Sequence, residues 1–180
     1  IAQRSSKLSV IERYVVDGQA ALFVNGVTEC VVAENARLDH YNIQATPTNF
    51  HLVNFTQVSQ KADSLYNNHT YTLPGASFVR NNLHLDLQAS NTESHLYGLY
   101  LAGGSQLVDN HTLVNHANPH CYSNELYKGV LADSARAVFN GKIMVQLDAQ
   151  KTNAFQQNNN MLLSDKAVVD SKPQLEIFAD

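Results

Sequence analysis

Alternation of apolar and polar residues dominates this chain. In "NNLHLDLQ", Leu83, Leu85 and Leu87 point one way while His84 and Asp86 point the other, the period-2 signature of a half-buried strand. "SHLYGLYLAGG" and "QLEIFAD" read the same way, and their Tyr, Val, Leu and Thr suit a pleated surface. No amphipathic pattern of helical period runs for 12 residues or more, so the chain is expected to be all-β.

The segments also resemble one another. "ADSLYNNHTYTL", "ASFVRNNLHLDL", "SQLVDNHTLVN" and "SARAVFNGKIMV" share an outline: a small residue, an apolar anchor, a polar corner bearing Asn in most cases, then a second apolar run. With Leu65, Phe78, Leu96, Leu107, Leu126, Val138, Phe155 and Val168 as anchors, skipping one gives a spacing of roughly 30 residues, in the range that marks stacked repeats. Two strands per turn of a coil of parallel strands would produce this, each turn covering the inner face of the next. Asn suits the corners because it tolerates left-handed backbone, and "NNN" at 158–160 is expected to form such a bend. An antiparallel sandwich with turns every 8 to 12 residues is the other arrangement compatible with the pattern. Tight Gly turns are scarce: Asn25-Gly26 and Asn140-Gly141 both sit in strand-like contexts.

Composition narrows the function. With 180 residues and 44% hydrophobic content, the chain can build one ordinary core. A net charge of −4 without any basic run argues against nucleic acid as a partner. No apolar run approaches the ~20 residues of a membrane span; "AALFV" is among the longest. The chain starts at Ile1, which a removed leader would also produce, and "QLEIFAD" reads as a strand cut mid-course, so a core piece of a longer protein is expected. Cys30 and Cys121 are expected to be buried, reduced thiols. Asn54, Asn68 and Asn110 head Asn-x-Thr triplets that would suit a secreted glycoprotein but are expected by chance in a chain this rich in Asn and Thr.

Candidate chemistry is sparse. Gly141-Lys142 lacks the upstream glycine of a phosphate loop, so ATP hydrolysis is not expected, and neither a nucleophile elbow nor a His-Glu-x-x-His helix occurs. Asp86, Glu93, Asp109 and Glu125 could serve a two-carboxylate hydrolase, though such residues more often lie on a solvated strand face. The densest stretch is "VDNHTLVNHANPHCYSNELYKGVL", with His111, His116, His120 and Cys121. These are residue types that bind zinc and iron, but their spacing fits no paired-ligand template. Outward-facing or hydrogen-bonded histidines are the simpler expectation. Pro119 marks a corner, after which the chain enters the strand "ELYKGVL".

That stretch, with "ARAVFNGKIMV", "AQKTNAFQQNNNMLLSDKAVVDSKPQLEIFAD", "ARLDHYNIQ" and "GLYLAGG", resembles the SufB/SufD family of iron–sulfur cluster assembly proteins, on the SufD side, nearly continuously from Asn35 to Asp180. The resemblance implies a right-handed parallel β-helix, with residues 1–180 as its core domain, and a scaffold that is not an enzyme. It implies pairing with a SufB-like paralogue through the β-helix and with a SufC-like ATPase through terminal helices outside these residues. A homodimer in isolation is open. Iron–sulfur clusters would be handled by the whole complex and ATP by the SufC subunit, with no cofactor bound by these residues. The expected location is the cytoplasm, or the plastid stroma in a plant. His120 and Cys121 match the family's Pro-His-Cys and are weak candidates for metal binding. Two rivals remain: a secreted carbohydrate-active or adhesive β-helix protein, and a metal-dependent enzyme using His111, His116, His120 and Cys121.

Overall fold

The computed structural model describes residues 1–17 and 20–179, and every regular element among them is a strand. One sheet holds β1 (Lys7–Arg13), β3 (Arg37–Gln44), β5 (Leu65–Thr72), β7 (Glu93–Ala102), β9 (Tyr122–Leu131) and β11 (Asn153–Leu162). The other holds β2 (Leu22–Val32), β4 (Phe50–Gln60), β6 (Phe78–Leu87), β8 (Leu107–His116), β10 (Arg136–Val145) and β12 (Val168–Ile177). Odd strands pair only with odd and even only with even, always in parallel. The chain is therefore a two-sheet solenoid in which each turn lays one strand on either sheet, and the antiparallel sandwich is excluded. Register partners lie from 27 residues apart (His51 with Phe78) to 32 (Arg136 with Val168), which is the sequence repeat.

The corners are built alike. Ser5, Asn35, Asp63, Asn91, His120 and Lys151 each have positive φ, between 54° and 61°, two residues ahead of an odd strand. Most residues pay a steric penalty there, which short polar side chains offset by bonding locally. Here they bond between turns: Asn35 donates to Ser5 Oγ at 3.1 Å and Asn91 to Asp63 Oδ1 at 3.1 Å.

The inner face is only partly apolar. Leu85, Val114 and Ile143 stack on one another in successive turns of the even sheet. Beside them run Asn54, Asn81 and Asn110, all buried. Asn81 donates to Asn110 Oδ1 at 3.0 Å and accepts at 2.6 Å from Gln44 of the opposite sheet. The Asn81 and Asn110 amides are satisfied by the identical position one turn away, whereas Asn54 Oδ1 is buried without a hydrogen-bond partner.

The eight anchors keep the spacing of the repeat without sharing a face: only Leu96 is fully buried, while Phe155 and Val168 are 55% and 45% exposed. Asn, Thr and Ser take many inner positions, so hydrophobicity stops labelling the inside. Nor do residues 158–160 bend; they lie within β11, in register with Tyr127, Lys128 and Gly129. Their amides bond side chain to side chain, Asn160 to Asn158 Oδ1 at 2.6 Å and Asn158 to the Tyr100 hydroxyl at 3.0 Å, instead of turning the backbone. The strand expected in "QLEIFAD" is β12 through Ile177, and Asp180 lies outside the described residues.

Candidate interaction surfaces

The fold disperses the histidine-rich stretch. His111 projects outward from the even sheet, its Nε2 2.8 Å from Asp109, which also meets Arg80 at 3.1 Å. His116, two positions beyond Val114, points inward and is wholly buried; its Nε2 lies 2.8 Å from Ser123 Oγ, and burial pushes its pKa down to about 4. It is thus one of the hydrogen-bonded histidines expected from the sequence, held on the inner face. His120 is the exposed left-handed corner residue of its turn, the place Asn91 and Asn35 take in others. Cys121 is buried just ahead of β9, where other turns carry Ala36, Ser64 and Thr92, and its thiol donates to the Ala89 carbonyl at 3.3 Å. Both thiols are unbridged, Cys121 buried and Cys30 half-buried. Among the described residues no group of three or more His, Cys, Asp or Glu could hold a metal ion.

The four candidate carboxylates also part company. Asp86 and Asp109 lie on the outer face of the even sheet, Glu93 is on the outer face of the odd sheet beside His95 at 2.7 Å, and Glu125 is inside, 1% exposed. No two of different faces can share one substrate. Asn54, Asn68 and Asn110 are 4%, 2% and 2% exposed, so the folded chain offers none of its three triplets to a glycosyl carrier.

A corner duty for His120 has a measurable consequence. His120→Asn is expected to leave stability within about 0.5 kcal/mol of the wild type, because Asn accepts positive φ, whereas β-branched His120→Val should cost about 1–2 kcal/mol. Urea unfolding checks both. A His120→Asn protein that folds normally yet loses bound iron would contradict this reading.

Sequence reasoning missed the inner cluster of the first turns. His40 is 1% exposed, its Nε2 2.6 Å from Glu12 and its Nδ1 3.1 Å from the Tyr66 hydroxyl. Glu12 also accepts from Thr28 at 2.9 Å, and the hydrogen bond and charge of His40 hold its pKa below the usual carboxylate range against the opposing effect of burial. The period-2 pattern could have placed Glu12 and His40 on one face, but only the register Glu12–Asn42 and Val10–His40 brings them together.

What the molecule does offer is surface. At the end formed by β11 and β12, the inner columns have no further layer among the described residues. Leu175, in register with Ile143, is 57% exposed, and Ile177, in register with Val145, is 60% exposed. With Val145, Ala149, Ala154 and Ala179 they line an open cleft of about 300 Å³. The outer edges of β11 and β12 are unpaired among the described strands, the kind of edge to which a further parallel strand of the same or another polypeptide adds. At the other end Phe23 and Val27 are 67% and 69% exposed.

The family model described as "SUF system FeS cluster assembly, SufBD core domain" matches residues 1–180. An iron–sulfur cluster assembly SufBD family protein of Synechocystis sp. is 36% identical over 163 residues, covering 90% of this chain and 36% of its own length. The iron–sulfur cluster assembly protein SufD of Escherichia coli is 33% identical over 176 residues, covering 97% of this chain and 41% of its own. Protein ABCI7, chloroplastic, of Arabidopsis thaliana is 30% identical over 182 residues, covering all of this chain and 38% of its own. The chain thus spans about two fifths of the length of these relatives.

Proposed function

This chain belongs to the SufBD core family of the SUF iron–sulfur cluster assembly system, and from that premise we propose that it is the β-helical core of a SufD-like scaffold subunit, joined end to end with a SufB-like paralogue and served by a SufC-like ATPase. The observation that carries the reading is the match of the SufBD core family to the whole of residues 1–180, which fold into a parallel two-sheet coil with no regular element but strands among the described residues. A paralogue with the same repeat would continue both the strand ladder and the apolar column. A rod of turn-to-turn hydrogen bonds transmits a displacement at one end with little loss, so nucleotide cycling on the ATPase could be felt at the junction.

Clusters are cargo of the whole assembly in this reading, and the core itself neither hydrolyses ATP nor turns over a substrate. The ATPase is contacted by parts of the polypeptide outside residues 1–180. The site of action is the cytoplasm, or the plastid stroma in a plant, in keeping with the chloroplastic name of the plant relative; among the described residues no helix is long and apolar enough to cross a membrane.

The test uses the full-length protein. Co-expressed with a SufB-like paralogue and a SufC-like ATPase, it is expected to retain both on affinity purification, and chemical crosslinks between the two β-helical subunits are expected to map to the ends of their rods. Loss of the paralogue, or crosslinks confined to the sheet faces, would overturn the end-to-end arrangement.

A further inference from the structure

The two outer faces of the rod differ in chemistry. On the even sheet, charges are paired across turns: Arg80 with Asp109 at 3.1 Å, Arg136 with Asp170 at 2.5 Å and Lys142 with Glu176 at 2.9 Å. That is a self-satisfied, solvated surface. The odd sheet carries two adjacent columns of another kind. One runs Ile11, Tyr41, His69, Tyr97, Leu126, with the rings of Tyr41 and His69 stacked at 4.6 Å and those of His69 and Tyr97 at 5.3 Å. The next runs Arg13, Ile43, Tyr71, Leu99, Lys128.

This second column is an apolar strip with a cation at each end. Arg13 and Lys128 are exposed and make no ion pair among the described residues. The carboxylates of the same sheet face are engaged elsewhere, Asp39 with Arg37 and Asn67 and Glu93 with His95. Around Lys128 the strip opens into two clefts: about 200 Å³ over Tyr71, Tyr97, Leu99 and Leu126, and about 290 Å³ over Val130, Asn159 and Met161.

Geometry selects the occupant. Successive strands are about 4.8 Å apart, close to the 5.4 Å pitch of an α-helix, and two columns lie about 7 Å apart, within one helix diameter. A helix lying along the rod axis therefore sets one apolar side chain per turn between successive strands. Arg13 and Lys128 are four strand spacings apart, about 19 Å, which a helix covers in about 13 residues. We propose that the outer face of the odd sheet docks an amphipathic α-helix of a partner polypeptide, with an apolar stripe over Tyr41, Tyr71, Tyr97, Leu99 and Leu126 and carboxylates about 13 residues apart on Arg13 and Lys128. This surface is separate from the rod ends, and the inference stands whichever subunit joins them.

A photoreactive benzoyl-phenylalanine in place of Tyr97, in the full-length protein expressed in its own host, tests it directly, because the replacement is aromatic for aromatic. The expected crosslink maps by mass spectrometry to one face of a helical segment in another polypeptide, with acidic residues near both ends. Arg13→Glu with Lys128→Glu should lower the yield at least 10-fold, and charge reversal of the mapped carboxylates should recover most of it. A product within the same polypeptide, to a second copy of it, or to a segment without those carboxylates overturns the proposal. So does a yield no greater than that of the same probe at Asn140 on the opposite sheet.

Discussion

Gly129→Ala is expected to destabilise the protein by about 3 kcal/mol, more than a methyl group costs at most strand positions. Tyr100, Gly129 and Asn160 share one inner column in three successive turns. The absent side chain at 129 lets the Tyr100 ring lie across that turn and hydrogen-bond Asn160, while Asn158 donates to the same hydroxyl at 3.0 Å. A Cβ at 129 would stand 2.1 Å from Tyr100 Cε2 and 2.4 Å from Asn160 Oδ1. The ring has nowhere to retreat, since Tyr100 is 1% exposed. Gly98 plays the reciprocal part, its missing Cβ filled by Tyr127 at 2.1 Å from the turn above. The signature of this mechanism is non-additivity. Tyr100→Leu alone should cost about 2 kcal/mol through lost packing and two lost hydrogen bonds. In the double variant with Gly129→Ala, the penalty should fall short of the sum by at least ~1 kcal/mol. Strict additivity in urea unfolding would mean that the ring and the glycine do not share space.

The Gly129 column also shows where the sequence is readable. Alternation gave the strands and the roughly 30-residue repeat gave the turns, because both follow from backbone geometry that every turn obeys. The corner at Pro119 and the strand after it were legible for the same reason. The inner face was not. Once neighbouring turns satisfy an amide, Asn at an inward position costs little, so Asn158 and Asn160 look like turn residues while lying on the inner-column positions of a strand. The histidine-rich stretch misleads in the opposite sense: nearness along the chain does not survive a two-residue period that sends His111 outward and His116 inward, or a corner that isolates His120. Glu12 and His40, 28 residues apart, meet at 2.6 Å because of a register that one sequence alone does not reveal. The outer cation-capped column is equally invisible, since Arg13 and Lys128 are related only through five strands.

Two buried groups within one turn should set the pH response of the rod in opposite senses. Glu125 is 1% exposed; Gln156 donates to its Oε2 at 2.7 Å and the Thr112 hydroxyl is beside it, yet burial prevails and raises the carboxyl to about 7 from 4.5. Its ionised form is disfavoured in the folded state, so the unfolded chain releases this proton first as pH rises. Stability is therefore lost between about pH 4.5 and 7, by roughly 3 kcal/mol for a shift of this size. His116, lowered to about 4 from 6.5 by burial, behaves in reverse. The unfolded chain takes up its proton first as pH falls, and stability is lost between about pH 6.5 and 4 by a similar ~3 kcal/mol. Between pH 4.5 and 6.5 the two slopes cancel. Glu125→Gln should therefore gain on the wild type by about 3 kcal/mol as pH climbs from 4.5 to 7, and His116→Gln should gain by a like amount as pH drops from 6.5 to 4. Glu12 and Asp39, both held below their ordinary pKa by bonded partners, weaken the fold in acid equally in all three proteins and drop out of the differences. Unfolding free energies measured across this range for the three proteins decide the matter: difference curves that stay flat would show that neither buried group titrates differently on folding.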